Sequence, residues 1–189
     1  MDTNGTWEPG DVLEGQRLVL DLIARGESLH QVLDTLLRII QLQCSGMLGS
    51  ILLLDADGIH VRHGAAPDLP EDYVRFIDGL AIGPQAGSCG TAAFTRKAVI
   101  VGDIATDPLW NDFRAIALKH DLRACWSTPI FDSERRLLGT FAMYFRVPGL
   151  PDEDHRTLIG ISTHIAAIAI TKHREGAADP ADGLRTDLI

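Results

Sequence analysis

The chain has 189 residues and a net charge of −9, from 17 basic and 26 acidic side chains. That length suits one domain with short tails, and the acidic balance excludes the basic footprint that phosphate backbones require. Three widely spaced cysteines, Cys44, Cys89 and Cys125, make no disulfide framework and point to a reducing, cytoplasmic setting. Residues 1–10 are polar and acidic, unlike a secretory leader. The longest apolar run, 158–170, is interrupted by Ser162, Thr163 and His164. It falls short of the about 20 apolar residues that a membrane helix needs.

Residues 1–10 read as disordered, and the domain as 11–173. "DVLEGQRLVLDLIARG" (11–26) places Leu18, Val19, Leu22 and Ile23 at helical spacing. Ser28 and Gln31 form a capping-box pattern ahead of a second helix, with Val32, Leu33, Leu36, Leu37 and Ile40 on one face. The stretch 47–66 reads as a hairpin turning at Asp55-Ala56-Asp57-Gly58. Its Asp-x-Asp-Gly lacks the further oxygen ligands of a calcium loop. Pro70, Glu71 and Asp72 open a short helix that Gly79 stops.

Beyond it, 81–103 runs from a loop into a short helix near Ser88 and then a strand at 98–101. The segment 105–122 is at least partly helical. Residues 123–131 and 136–146 form a second hairpin. Pro151 to Asp154 open a last helix, with Leu158, Ile161, Ile165 and Ile168 as an apolar stripe and His164 packed among them. This stripe can face the sheet or a second copy of the chain. The tail 174–189 reads as disordered.

Strands arriving as hairpins imply a mainly antiparallel sheet in an α+β layout. The terminal helices are expected on one face of the sheet. The central segment 67–122 is expected to cover the other face and enclose a pocket.

Several stretches together resemble the GAF domain of bacterial signalling proteins: "GSCGTAAF", "VGDIATDPLW", "STPI", "LLGTFAMYF" and the acidic helix start "LPDEDH". The resemblance covers about residues 28–171. It implies a PAS-like GAF fold in a sensory module that binds a small molecule between sheet and loop cover. Such a module signals through its terminal helices, often as a homodimer, to a histidine kinase or diguanylate cyclase output. The chain departs from the cyclic-nucleotide and bilin-binding GAF patterns, lacking the Asn-Lys pair of the first and the Cys-His pair of the second. No kinase or cyclase catalytic segment is readable, so the chain is either a free-standing sensor or a piece of a longer receptor.

The candidate ligand-binding residues are Cys89, Asp103, Trp110, Phe113, Trp126 and Ser127. Cys89 opens a helix, where dipole and free N–H groups favour thiolate. Its surroundings favour the other role, a small buried residue that closes a tight glycine corner. Its "CGTAA" resembles GAF-fold free methionine sulfoxide reductases, which implies thiol catalysis as the alternative to a non-enzymatic sensor. Those enzymes also carry partner cysteines in the nearby loop, where this chain reads "DIATDPLWNDF". Trp110, Phe113 and Trp126 could stack on a planar ligand, and Asp103 could orient a donor. Neither the ligand nor any cofactor is legible, and no metal pattern joins the seven histidines.

Overall fold

The computed structural model of the chain describes residues 9–178. Two helices, α1 (Pro9–Ala24) and α2 (Leu29–Gln43), lead into β1 (Leu48–Leu54) and β2 (Val61–Ala65). Next come α3 (Glu71–Ile77), α4 (Gly87–Thr95) and β3 (Val99–Val101). A 3-10 turn (Pro108–Trp110) and α5 (Arg114–Lys119) precede β4 (Ala124–Phe131) and β5 (Leu137–Phe145), and α6 (Glu153–Ala178) closes the described chain. The strands form one sheet in the order β2-β1-β5-β4-β3, and every neighbouring pair is antiparallel. The α+β reading holds, with an antiparallel sheet throughout.

Local sequence explains the boundaries. Ser28 Oγ accepts the Gln31 amide at 3.3 Å, which caps α2. In the β1–β2 turn, Asp57 Oδ1 accepts the Ile59 and His60 amides, so its carboxylate shapes the turn. Helix α6 continues to Ala178, past residue 173, where the sequence reading ends the domain. Residues 9–10 and 174–178, read from the sequence as disordered, are the ends of α1 and α6; the rest of the predicted disorder, 1–8 and 179–189, falls outside the described residues.

The two faces of the sheet carry separate cores. On one face, Val19 and Ile23 of α1, Leu33 and Leu37 of α2, and Ile165, Ala166 and Ile170 of α6 pack on Ile51, Trp126, Phe141 and Met143. On the other, Leu52, Cys125, Ala142 and Tyr144 meet Tyr73, Ile77, Cys89, Ile104, Trp110 and Ala117 from the central segment. Strand alternation drives this split, because successive side chains point to opposite faces. The apolar stripe of α6 follows the sheet only in part. Leu158 and Ile165 are buried, whereas Ile168 is 38% exposed. His164 is exposed, not packed as the sequence suggests, because its position on the helix faces away from the sheet. Among the described residues, no helix is long and apolar enough to cross a membrane.

Candidate functional site

Helix α4 is the floor element of the candidate site. Its residues Gly87 to Ala93 are all buried. A helix enclosed on every side must be short in side chain all round, and "GSCGTAA" is that solution. Gly87 has φ +61°, a conformation that glycine adopts without the steric penalty other residues pay. Below α4, Ser50, Ala142 and Ser127 lie side by side across β1, β5 and β4, a band of small residues that lets the helix approach the sheet.

Between α4, the sheet and the covering helices lies a cavity of about 20 Å³, lined among others by Tyr73, Ser88, Cys89, Trp110, Phe113 and Tyr144. That volume is room for about one water. Its polar groups form two connected chains. Trp110 Nε1 donates to Ser88 Oγ at 3.1 Å, and Ser88 Oγ donates to the Cys125 carbonyl at 3.1 Å. On the other side the Tyr73 hydroxyl donates to the Tyr144 hydroxyl at 3.5 Å, and Cys89 Sγ stands 3.5 Å from the same oxygen. The two tyrosine rings meet edge to face with centroids 5.8 Å apart.

The thiols of Cys89 and Cys125 are neighbours in this layer. A hydrogen bond from Cys125 holds the Cys89 thiol below its ordinary range against the opposing effect of burial, and Tyr144, Ser127 and Thr140 act in the same sense. Burial, and then the hydrogen bond to Cys89 and the charge that Cys89 can carry, push the Cys125 thiol up. Ser127 Oγ and Thr140 Oγ1 complete no hydrogen bond of ordinary geometry among the described residues, although both hydroxyls act to lower the Cys89 thiol. Cys44 lies in the other core, where burial raises its thiol to about 11.

The cover over the cavity is fastened at its edge. Asp72 of α3 pairs with Lys119 of α5. Nε2 of His120 stands 2.8 Å from an Asp72 oxygen, without the alignment of a hydrogen bond. Phe76 of α3 and Phe113 meet edge to face with centroids 6.3 Å apart. The Lys119 hydrogen bond, aided by His120, lowers the Asp72 carboxyl to about 2.

A family model for the GAF domain matches residues 26–171. The chain belongs to the GAF domain family. A relative 37% identical over 170 residues is the methyl sulfide methyltransferase-associated sensor of Methanosarcina acetivorans. The match covers 90% of this chain but only 17% of that protein, so the chain corresponds to a small part of the relative's length. Among solved structures, the GAF domain of a phosphoenolpyruvate-protein phosphotransferase from Coxiella burnetii superposes with a TM-score of 0.69 at 17% identity, covering 88% of this chain and 97% of that one. The free methionine-R-sulfoxide reductase of Neisseria meningitidis, in complex with its substrate, gives a TM-score of 0.66 at 18% identity, covering 90% and 96%. Identities this low establish the shared fold alone.

Within this GAF domain the structure groups four of the six predicted site residues. Cys89, Trp110 and Phe113 line the cavity, and Ser127 stands under Cys89. Asp103 is elsewhere: it accepts the Ala105 amide and pairs with Arg123, 3.2 Å from Nη2. Trp126 is on the opposite face of the sheet. Its Nε1 donates to the Gly149 carbonyl at 3.1 Å, and its ring contacts Phe145 and His155 at 4.5 and 5.0 Å. The reason is pleat alternation: Cys125 and Ser127 take the cavity face, so Trp126 between them takes the helix face. Sequence reasoning missed Tyr73, Ser88, Cys125 and Tyr144. For Tyr144 a signal existed, because it shares strand parity with Thr140 and Ala142, opposite to Phe141 and Met143.

Proposed function

We propose that this GAF domain is a sensory module that takes a small molecule on the cavity face of its sheet and signals through the helices on the other face. The observation that carries the reading is the cavity itself. A cluster of hydrogen-bonding groups, Tyr73, Ser88 and Tyr144, is buried beneath an aromatic cover. Folding gains little from burying such groups where an apolar core would serve. Metabolite sites enclose roughly 300–1,000 Å³, against the about 20 Å³ here. Ligand entry therefore requires α3 and α5 to part. Their fastening is an exposed ion pair and an aromatic edge contact, both weak enough to open reversibly.

The output side is α1, α2 and α6. Leu18 and Leu20 of α1 and Ile168 of α6 are 49%, 43% and 38% exposed, which supports a homodimer through these helices. A histidine kinase or diguanylate cyclase partner would receive the signal. The sensor name of the Methanosarcina relative supports the same role.

The test is a thermal-shift screen of the purified chain against a metabolite panel, with native mass spectrometry for co-purified ligand and dimer. A ligand that raises the melting temperature, and loses affinity in Phe113→Ala, supports the reading. Turnover of free methionine sulfoxide that vanishes in Cys89→Ser would replace it with a thiol enzyme.

A further inference from the structure

We propose that Cys89 and Cys125 form a hydroperoxide-responsive dithiol: Cys89 is oxidised through the cavity, and Cys125 then closes a disulfide joining α4 to β4. The pairing extends beyond ligand sensing and does not depend on it.

Four observations bring the two cysteines into one unit. Cys89 lines the cavity and is 8% exposed, while Cys125 is fully buried in the same core cluster. Ser88, beside Cys89, is hydrogen-bonded to the carbonyl of Cys125, which fixes the first turn of α4 on that residue of β4. Tyr144 touches both: its hydroxyl is 3.5 Å from Cys89 Sγ, and its backbone is the cross-strand partner of Cys125. Finally, the hydroxyls of Ser127 and Thr140 are buried to 0% and 1% exposure with no completed hydrogen bond among the described residues. Both act on the Cys89 sulfur. Buried hydroxyls are normally paired, so two unpaired ones beside Cys89 leave donors free to favour negative charge on its sulfur. The surroundings thus favour the nucleophilic form of Cys89 and keep Cys125 as the protonated partner.

The cavity sets the oxidant class. About 20 Å³ admits a molecule near the size of water, which fits hydrogen peroxide and excludes bulky disulfides such as oxidised glutathione. The Cys89 thiolate attacks one peroxide oxygen, the O–O bond breaks, and hydroxide leaves to be protonated as water. Cys89 is now a sulfenic acid. The Cys125 sulfur attacks the Cys89 sulfur, the S–O bond breaks, and the hydroxyl leaves as water with the Cys125 proton. Two electrons pass from the sulfur pair to one peroxide, and one disulfide and two waters result.

The purified chain, reduced and then exposed to hydrogen peroxide, tests this by intact mass and peptide mapping. The expected result is the loss of two hydrogens with a Cys89–Cys125 linkage, while Cys44 remains alkylatable after denaturation. In Cys125→Ser the same treatment should leave a sulfenic acid at Cys89 that dimedone captures. Melting temperatures of both proteins confirm that they are folded during exposure. A folded wild-type chain that keeps both thiols free, links either one to Cys44, or reacts only at Cys44 overturns the proposal.

Discussion

Replacing Trp110 by Ala removes the largest side chain of the cover. The indole is 2% exposed, donates to Ser88 Oγ at 3.1 Å and meets Phe113 edge to face at 6.4 Å. Truncating a buried Trp to Ala costs about 3–5 kcal/mol. At roughly 2–4 °C per kcal/mol for a domain of this size, the melting temperature should fall by about 6–20 °C. The space vacated is on the order of 150 Å³, enough to admit a small aromatic molecule, and it merges with the existing cavity. Free indole should therefore rescue the variant, since its N–H can reach the same Ser88 oxygen. At a concentration 100-fold above its dissociation constant it would restore about 2.7 kcal/mol. Trp110→Phe should lose less and respond less. Scanning calorimetry with and without indole reads both effects. A loss within the range of surface substitutions, about 0.5 kcal/mol, or a rescue no larger than in the wild type, would refute the placement of Trp110 as the roof of an accessible pocket.

Three further outcomes are expected. Trp126→Phe should lower the melting temperature by weakening the contact with Phe145 and His155, yet leave the rate of peroxide oxidation at Cys89 unchanged, because the ring is on the other face of the sheet. Asp72→Asn should raise hydrogen exchange in 71–77 and 114–119. In the wild type the folded carboxyl is lowered to about 2, so its stabilisation is complete above the usual carboxylate value near 3.9. It is lost as pH falls from about 4 to about 2, and the variant's exchange should not follow that window. Gly139→Ala should destabilise by more than the about 1–3 kcal/mol of ordinary overpacking, because the added Cβ would stand 2.0 Å from the Leu52 carbonyl oxygen. Urea titration measures it, and a near-neutral result would contradict the β1–β5 register.

The sequence announced the elements because each had a local cause. Ser28 caps α2, Asp57 closes the β1–β2 turn, and the acids at Glu153 and Asp154 open α6. Where reading failed, tertiary contacts decided. The stripe from Leu158 to Ile168 is helical by periodicity, but periodicity cannot say that His164 and Ile168, four apart on one face, point away from the core while Ala169 and Ile170 stay buried. His164 looked packed for the same reason.

The site was harder to read because its parts come from separate strands and helices. Aromatic character suggested Trp126 as a ligand contact, but alternation along β4 puts it on the helix face, where its neighbours are Phe145 and His155. Cys125 looked like an ordinary strand residue because nothing local links it to Cys89, 36 positions earlier; only the docking of α4 on β4 through Ser88 brings the thiols together. Consecutive residues of β4 therefore serve both faces: Cys125 meets α4 beside the cavity, and Trp126 meets the first turn of α6. A shift of β4 against α4, from an opened cover or a closed disulfide, has a covalent path of one peptide bond to the contact with His155. Relay through such a strand needs no long chain of side chains, and Trp126→Phe is the substitution that would separate sensing on one face from response on the other.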